Sequence, residues 1–168
     1  MILMAEARTL QAPEKRQFGA RAPRRRGPLE KAPGKNFLEK AKRWMDDALR
    51  LRKNEPVKAA GAAMRAFGFY LAAANGAFSE KNKDDCLVGA GTALSLAAAL
   101  CEKRDPRRAG RLHEEAGDHL YRGARLGTKP EGEVRKMARE QYVLALELGG
   151  IVRVLERKVA MCDRASEL

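Results

Sequence analysis

From Asn36 onward, apolar positions recur every three or four residues, and short clusters of Pro, Gly, Asn and Asp interrupt the rhythm. Phe37, Ala41, Trp44, Ala48 and Leu51 predict a first helix reaching about Lys53, with Asn36 and Glu39 in the form of a capping box. Asn54-Glu55-Pro56 punctuates the chain, and an Ala-rich second helix carrying Gly61 and Gly68 follows to about Asn75. These glycines are expected to let a neighbouring backbone approach. Gly76 and Ser79 mark a break before a third helix from about Glu80 to Arg104. Its centre, Cys86 to Cys101, holds no charge and few β-branched residues, so it predicts a helix enclosed by others.

Asp105-Pro106 pairs an N-cap acid with a first-turn proline and starts a fourth helix expected to reach Leu126, with Gly127 as its C-cap. Its inward positions are Ala109, Leu112, Ala116, Leu120 and Ala124. Thr128 and Glu131 offer another capping box, opening a fifth helix with Val134, Ala138, Tyr142, Ala145 and Leu148 on one side. After Gly149-Gly150, the residues Ile151, Leu155, Val159 and Cys162 carry a last helix to the C-terminus. The expected fold class is all-α, about six antiparallel helices joined by short turns, without strands.

Residues 1–35 carry no such period. Pro13, Pro23, Pro28 and Pro33 interleave with Gly19, Gly27 and Gly34, a composition that cannot repay its own ordering entropy. The expected division is therefore a disordered, extended basic tail over 1–35 and a helical domain over 36–168.

Charge sharpens this picture. The formal net charge is +12, and residues 1–36 hold nine Lys and Arg against three Glu. Such an excess favours polyanionic partners, nucleic acid before an acidic membrane surface. The three cysteines give no even disulfide framework. Cys86 and Cys101, on one helix, would stand about 22 Å apart, beyond bridging. They fit buried thiols in a reducing, cytoplasmic setting. MILM is too short for a secretory h-region, Glu6, Glu14 and Glu30 oppose a transit peptide, and the Cys86–Cys101 run is short for a bilayer span. No transmembrane segment is expected.

Ala66, Tyr70 and Ala73, and again Ala138, Tyr142 and Ala145, place a small residue, an aromatic and a small residue at the spacing of a tetratricopeptide second helix. Trp44, Ala48 and Leu51 followed by Ala60, Met64 and Phe67 fit one repeat register, and Ala116, Gly117 and Leu120 fit a first helix. Residues 36–150 thus resemble tetratricopeptide-type hairpins. That resemblance implies stacked hairpins with a peptide- or protein-binding groove; an irregular six-helix bundle is the competing architecture.

Chemistry is sparsely marked. His113 and His119 sit six apart on a helix, pointing about 120° from each other, so they do not form a metal-binding pair. The segment His113 to His119, HEEAGDH, reads as a solvated, salt-bridged helix face, with a metal or acid/base site as the rarer alternative. No phosphate-binding Gly loop or nucleophile motif occurs, so neither catalysis nor a cofactor is expected. Gly89 and Gly91 read as packing glycines.

The tail carries the functional signal. Arg16, Arg21, Arg24, Arg25, Arg26, Lys31 and Lys35 can track phosphates, because guanidinium offers a planar two-pronged fork. Phe18 is its sole aromatic, so base stacking is little provided for. On the body, Arg107, Arg111, Arg122 and Arg125 fall near one stripe, and Arg135, Lys136 and Arg139 follow; such residues extend a cationic face or pair with Glu115 and Asp118. The expected function is non-catalytic docking on structured RNA, in a ribosome or other ribonucleoprotein. The alternative is a tetratricopeptide-like protein adaptor with an incidental tail. Membrane-surface binding needs a second signal beyond the tail.

Overall fold

A computed structural model describes residues 33–77, 79–125 and 127–164. They form six helices: α1 (Pro33–Leu51), α2 (Pro56–Asn75), α3 (Glu80–Cys101), α4 (Pro106–Gly123), α5 (Glu131–Glu147) and α6 (Val152–Arg164). No strand occurs among the described residues, and the all-α class holds.

The boundaries follow local chemistry, with four departures from expectation. α1 starts at Pro33 rather than Asn36, because proline's fixed φ and missing N–H suit a first helical position. Asn36 therefore lies inside the helix and caps nothing. α3 stops at Cys101, where the Arg104 and Asp105 N–H groups both donate to the Cys101 carbonyl and turn the chain. α4 ends at Gly123, short of Gly127, which keeps a negative φ and is not a left-handed cap. Thr128 does not cap α5 either: Pro130 occupies that position without a side-chain bond. The Thr128 N–H and hydroxyl donate instead to the Asp85 carboxylate on α3, the hydroxyl at 2.6 Å. Two side-chain caps form, the one at Asp105 as expected. Ser79 Oγ accepts from the Asn82 N–H, and Asp105 Oδ1 from the Arg108 N–H at 2.9 Å. Gly149, at φ +86°, makes the turn into α6, a conformation that L side chains resist.

Each helix packs chiefly on the helix before and after it in the chain, and the short turns make these neighbours antiparallel. α3, whose run from Cys86 to Cys101 holds no charge, is held between α2 and α4. By length and composition alone α3 could cross a membrane, but 56% of its apolar window is buried inside this fold. One core cluster joins α1 to α4 through Ala48, Ala63, Leu94 and Leu112. A second joins α3 to α6 through Val88, Leu120, Tyr142 and Leu155. Alanine makes up most of the buried apolar set, so the helices approach closely and fit with little side-chain bulk between them.

The close approaches fall on different glycines from two of those predicted. A Cβ at Gly91 would stand 2.6 Å from Leu120 Cγ, and one at Gly123 would stand 2.7 Å from the Asp84 carbonyl oxygen. Gly61 and Gly68 face open space instead. Ile151, expected inward, is 71% exposed and precedes α6, whose contact side is Leu155 and Cys162. Cys86 and Cys162 are buried and Cys101 is half-buried; none forms a disulfide.

Candidate nucleic-acid interface

Of the cations singled out in the sequence, Arg16, Arg21, Arg24, Arg25, Arg26 and Lys31 lie outside the described residues, and Lys35 falls in the first turn of α1. Arg107 and Arg111 stand in the first turns of α4, Arg122 in its last turn and Arg125 just beyond; all four are exposed. None is ion-paired with a carboxylate among the described residues.

They do not make one continuous stripe. From Arg107 to Arg122 the helix rises about 22 Å, and Glu114 and Asp118 occupy the middle of that face. These two acids are taken by Lys158 of α6, whose ammonium donates to Glu114 Oε1 at 2.8 Å and to Asp118 Oδ2 at 2.9 Å. Tyr142 adds its hydroxyl to Asp118 Oδ1 at 2.9 Å, and Lys158 sits 5.4 Å from that ring's centroid. Desolvation opposes the charge on Lys158, yet the two carboxylates outweigh it and push its pKa up. The acids therefore bind α4 to α6 and leave the arginines at the two ends unpaired.

The denser cluster is at the turn between α3 and α4. Lys103, Arg104, Arg107, Arg108 and Arg111 are all exposed, and none is ion-paired among the described residues. The two acids in the same segment are engaged elsewhere. Glu102 Oε1 lies 3.1 Å from His113 Nε2, and Asp105 caps α4. The α4 N-terminus adds its own partial positive charge. Antiparallel packing brings the α1–α2 turn, with exposed Arg52 and Lys53, to the same end of the fold. Lys103 and Arg104 precede α4 and Arg108 lies off the stripe of Arg107 and Arg111, so helical spacing does not group them. The run from Lys103 to Arg111, five cations in nine residues, was the signal that marks a basic corner.

At the opposite end, Arg122 and Arg125 share a polar trough of about 870 Å³ with Glu80, Asp84 and Glu131. Arg135 pairs with Glu131 and lies over the Tyr121 ring, and Arg139 pairs with Asp163 at 2.7 Å. Signs are mixed here, so the field is weaker than at the α3–α4 corner.

His113 and His119 turn out to be packing residues. His113 is 1% exposed, with Nδ1 at 2.8 Å from Gln141 Oε1, so it ties the α3–α4 turn to α5. His119 meets the Phe67 ring edge-on at 5.4 Å, and its Nδ1 has no hydrogen-bond partner among the described residues. Burial lowers its pKa. No group of three metal-ligating side chains gathers among the described residues.

A separate groove of about 630 Å³ opens between α1 and α3 over a floor of α2. Its surface is mainly apolar, from Leu38, Met45, Tyr70 and Val88, with Lys42 and Lys129 at the rim. It lies at the end of the fold where α1 begins, away from the α3–α4 corner. The chain matches no protein-family model, no curated protein and no solved structure.

Proposed function

We propose that this protein is a non-catalytic, cytoplasmic RNA-associated protein that holds phosphate backbone with its basic N-terminal segment and the α3–α4 corner, docking on a ribosome or another ribonucleoprotein. The observation that carries the reading is the corner itself: five exposed cations whose neighbouring acids, Glu102 and Asp105, are occupied by His113 and by a helix cap. Unpaired arginines in a row suit phosphate because each releases counterions on contact. From Pro33 to the far end of α1 is about 27 Å, so one nucleic acid touching both sites runs the length of the helices.

Filter binding to structured RNA across a salt series tests this. Replacing Arg104, Arg107, Arg108 and Arg111 together by Gln should flatten the slope of log K against log salt by about 3 units. Deleting residues 1–32 should flatten it by a further amount of roughly 3 to 5 units. Slopes unchanged by either alteration refute the reading.

A second reading, a tetratricopeptide-like protein adaptor, draws support from the α1–α3 groove and from packing between chain neighbours. Partners that survive nuclease and high salt, but are lost on Met45→Glu, would favour it.

A further inference from the structure

We infer that the groove between α1 and α3 is the seat of one acidic amphipathic helix from a partner protein. This deepens the adaptor reading and rests on it. α1 and α3 both lie against α2, yet neither packs extensively on the other, and a channel runs between them. Its walls are helix faces: Leu38, Lys42 and Met45 at four- and three-residue steps on one side, and Cys86, Gly89 and Thr92 on the other. Tyr70 and Ala73 of α2, with Ala77 just past its end, pave the floor. From Leu38 to Met45 is two turns, about 10 Å, which suits two to three turns of a third helix laid along the channel.

Hydrogen bonding favours a helix over an extended peptide. An extended chain must find donors and acceptors for its backbone, whereas a helix satisfies its own. The groove offers few such groups: the Thr92 hydroxyl donates to the Val88 carbonyl at 2.9 Å and Thr128 spends its N–H and hydroxyl on Asp85, which leaves the Tyr70 hydroxyl and the Asn82 amide, too few to serve a whole extended backbone.

Charge selects the occupant's sign. Asp85, the one carboxylate lining the groove, is taken up by Thr128. Lys42 and Lys129 are exposed at the rim and ion-paired with no acid among the described residues. Glu or Asp flanking an apolar stripe complements that rim. Residues 1–36 hold nine Lys and Arg against three Glu, so as a whole they share the rim's sign and complement it poorly. Groove and corner lie at opposite ends, so a helix in the groove leaves the corner open to phosphate.

The test uses full-length protein and three fluorescent peptides in anisotropy titrations at physiological salt. The first is an amphipathic helix with Leu at helical spacing and Glu on its flanks. The second replaces each Glu by Lys, and the third keeps the first composition but carries a central proline. The first should bind more tightly than either control by about tenfold or more. Lys42→Glu with Lys129→Glu should reverse the preference between the first and second, while Lys103→Glu with Arg104→Glu should leave it unaltered. Equal binding of the proline peptide, or a preference indifferent to the Lys42 and Lys129 changes, overturns the inference while leaving an adaptor for extended segments standing. No peptide binding, with Met45→Glu retaining every nuclease-resistant partner, overturns the adaptor reading as well. Self-association by sedimentation that the first peptide competes away would assign the groove to a second copy and also refute the inference.

Discussion

The ring of Tyr142 on α5 fills the space that a side chain at Gly117 on α4 would need: a Cβ there would stand 2.5 Å from ring atom Cε1. Tyr70 on α2 does the same to Gly89 on α3, at 2.6 Å. The two contacts differ in how easily the ring can yield. Tyr142 is 2% exposed and its hydroxyl is held by Asp118, whereas Tyr70 is half-buried and lines an open groove. Gly117→Ala should therefore cost about 2 kcal/mol by overpacking. Gly89→Ala should cost less, as Tyr70 swings toward the groove. Urea midpoints of the two variants check the order.

Gly68 gives the opposite expectation. It lies inside α2, and a Cβ there meets nothing within 4 Å. Gly68→Ala should stabilise the protein by roughly 0.5–1 kcal/mol, because alanine restricts the unfolded chain and favours the helix. A raised thermal midpoint is the readout.

Lys158 is the link by which α6 reaches past α5 to α4. Lys158→Met leaves Glu114 and Asp118 facing each other without a cation, and should destabilise by about 1 kcal/mol, because water still reaches both carboxylates. The loss should be local first, with faster hydrogen exchange in α6 than in α3.

Two titrations follow from burial. Burial, with Asp118 adding to it, pushes the Tyr142 phenol far above its ordinary value of 10.0. A raised folded pKa means the group's contribution is complete below the unfolded value and is lost as pH rises past it. Stability should fall above about pH 10, and Tyr142→Phe should weaken that fall. His119 shifts the other way. Burial first, then Arg122, lowers its pKa from 6.5, with Glu115 and Asp118 opposing. Its contribution is complete above the unfolded value and is lost as pH falls through the lowered one. NMR titration should place His119 below the ordinary histidine range.

Much of the architecture was legible because its signals are local. The charge-free run in α3 has no polar face, so it had to be flanked, and α2 and α4 flank it. Asp105 and Pro106 announced α4 through bonds and angles that need only four residues. What was hidden depends on partners distant in the chain. Thr128 has the spacing of a cap, but Asp85, forty-three residues back, takes its donors. Gly61 and Gly68 have the form of contact glycines, yet which face of an Ala-rich helix meets its neighbour is not marked by alanine alone. The corner from Lys103 to Arg111 was readable as a run of charge, but its freedom depended on where Glu102 turned.

Packing between chain neighbours also decides how the molecule answers a pull. No extensive contact closes α1 onto α6, so tension on the two termini loads the interfaces in series rather than in parallel. Such an array yields like a zipper, hairpin by hairpin from a free edge. α6 is the edge with the least to hold it, since Leu155 and Cys162 are its buried residues. A tethered copy should therefore lengthen in steps under force, giving up its last helix while α3 is still seated.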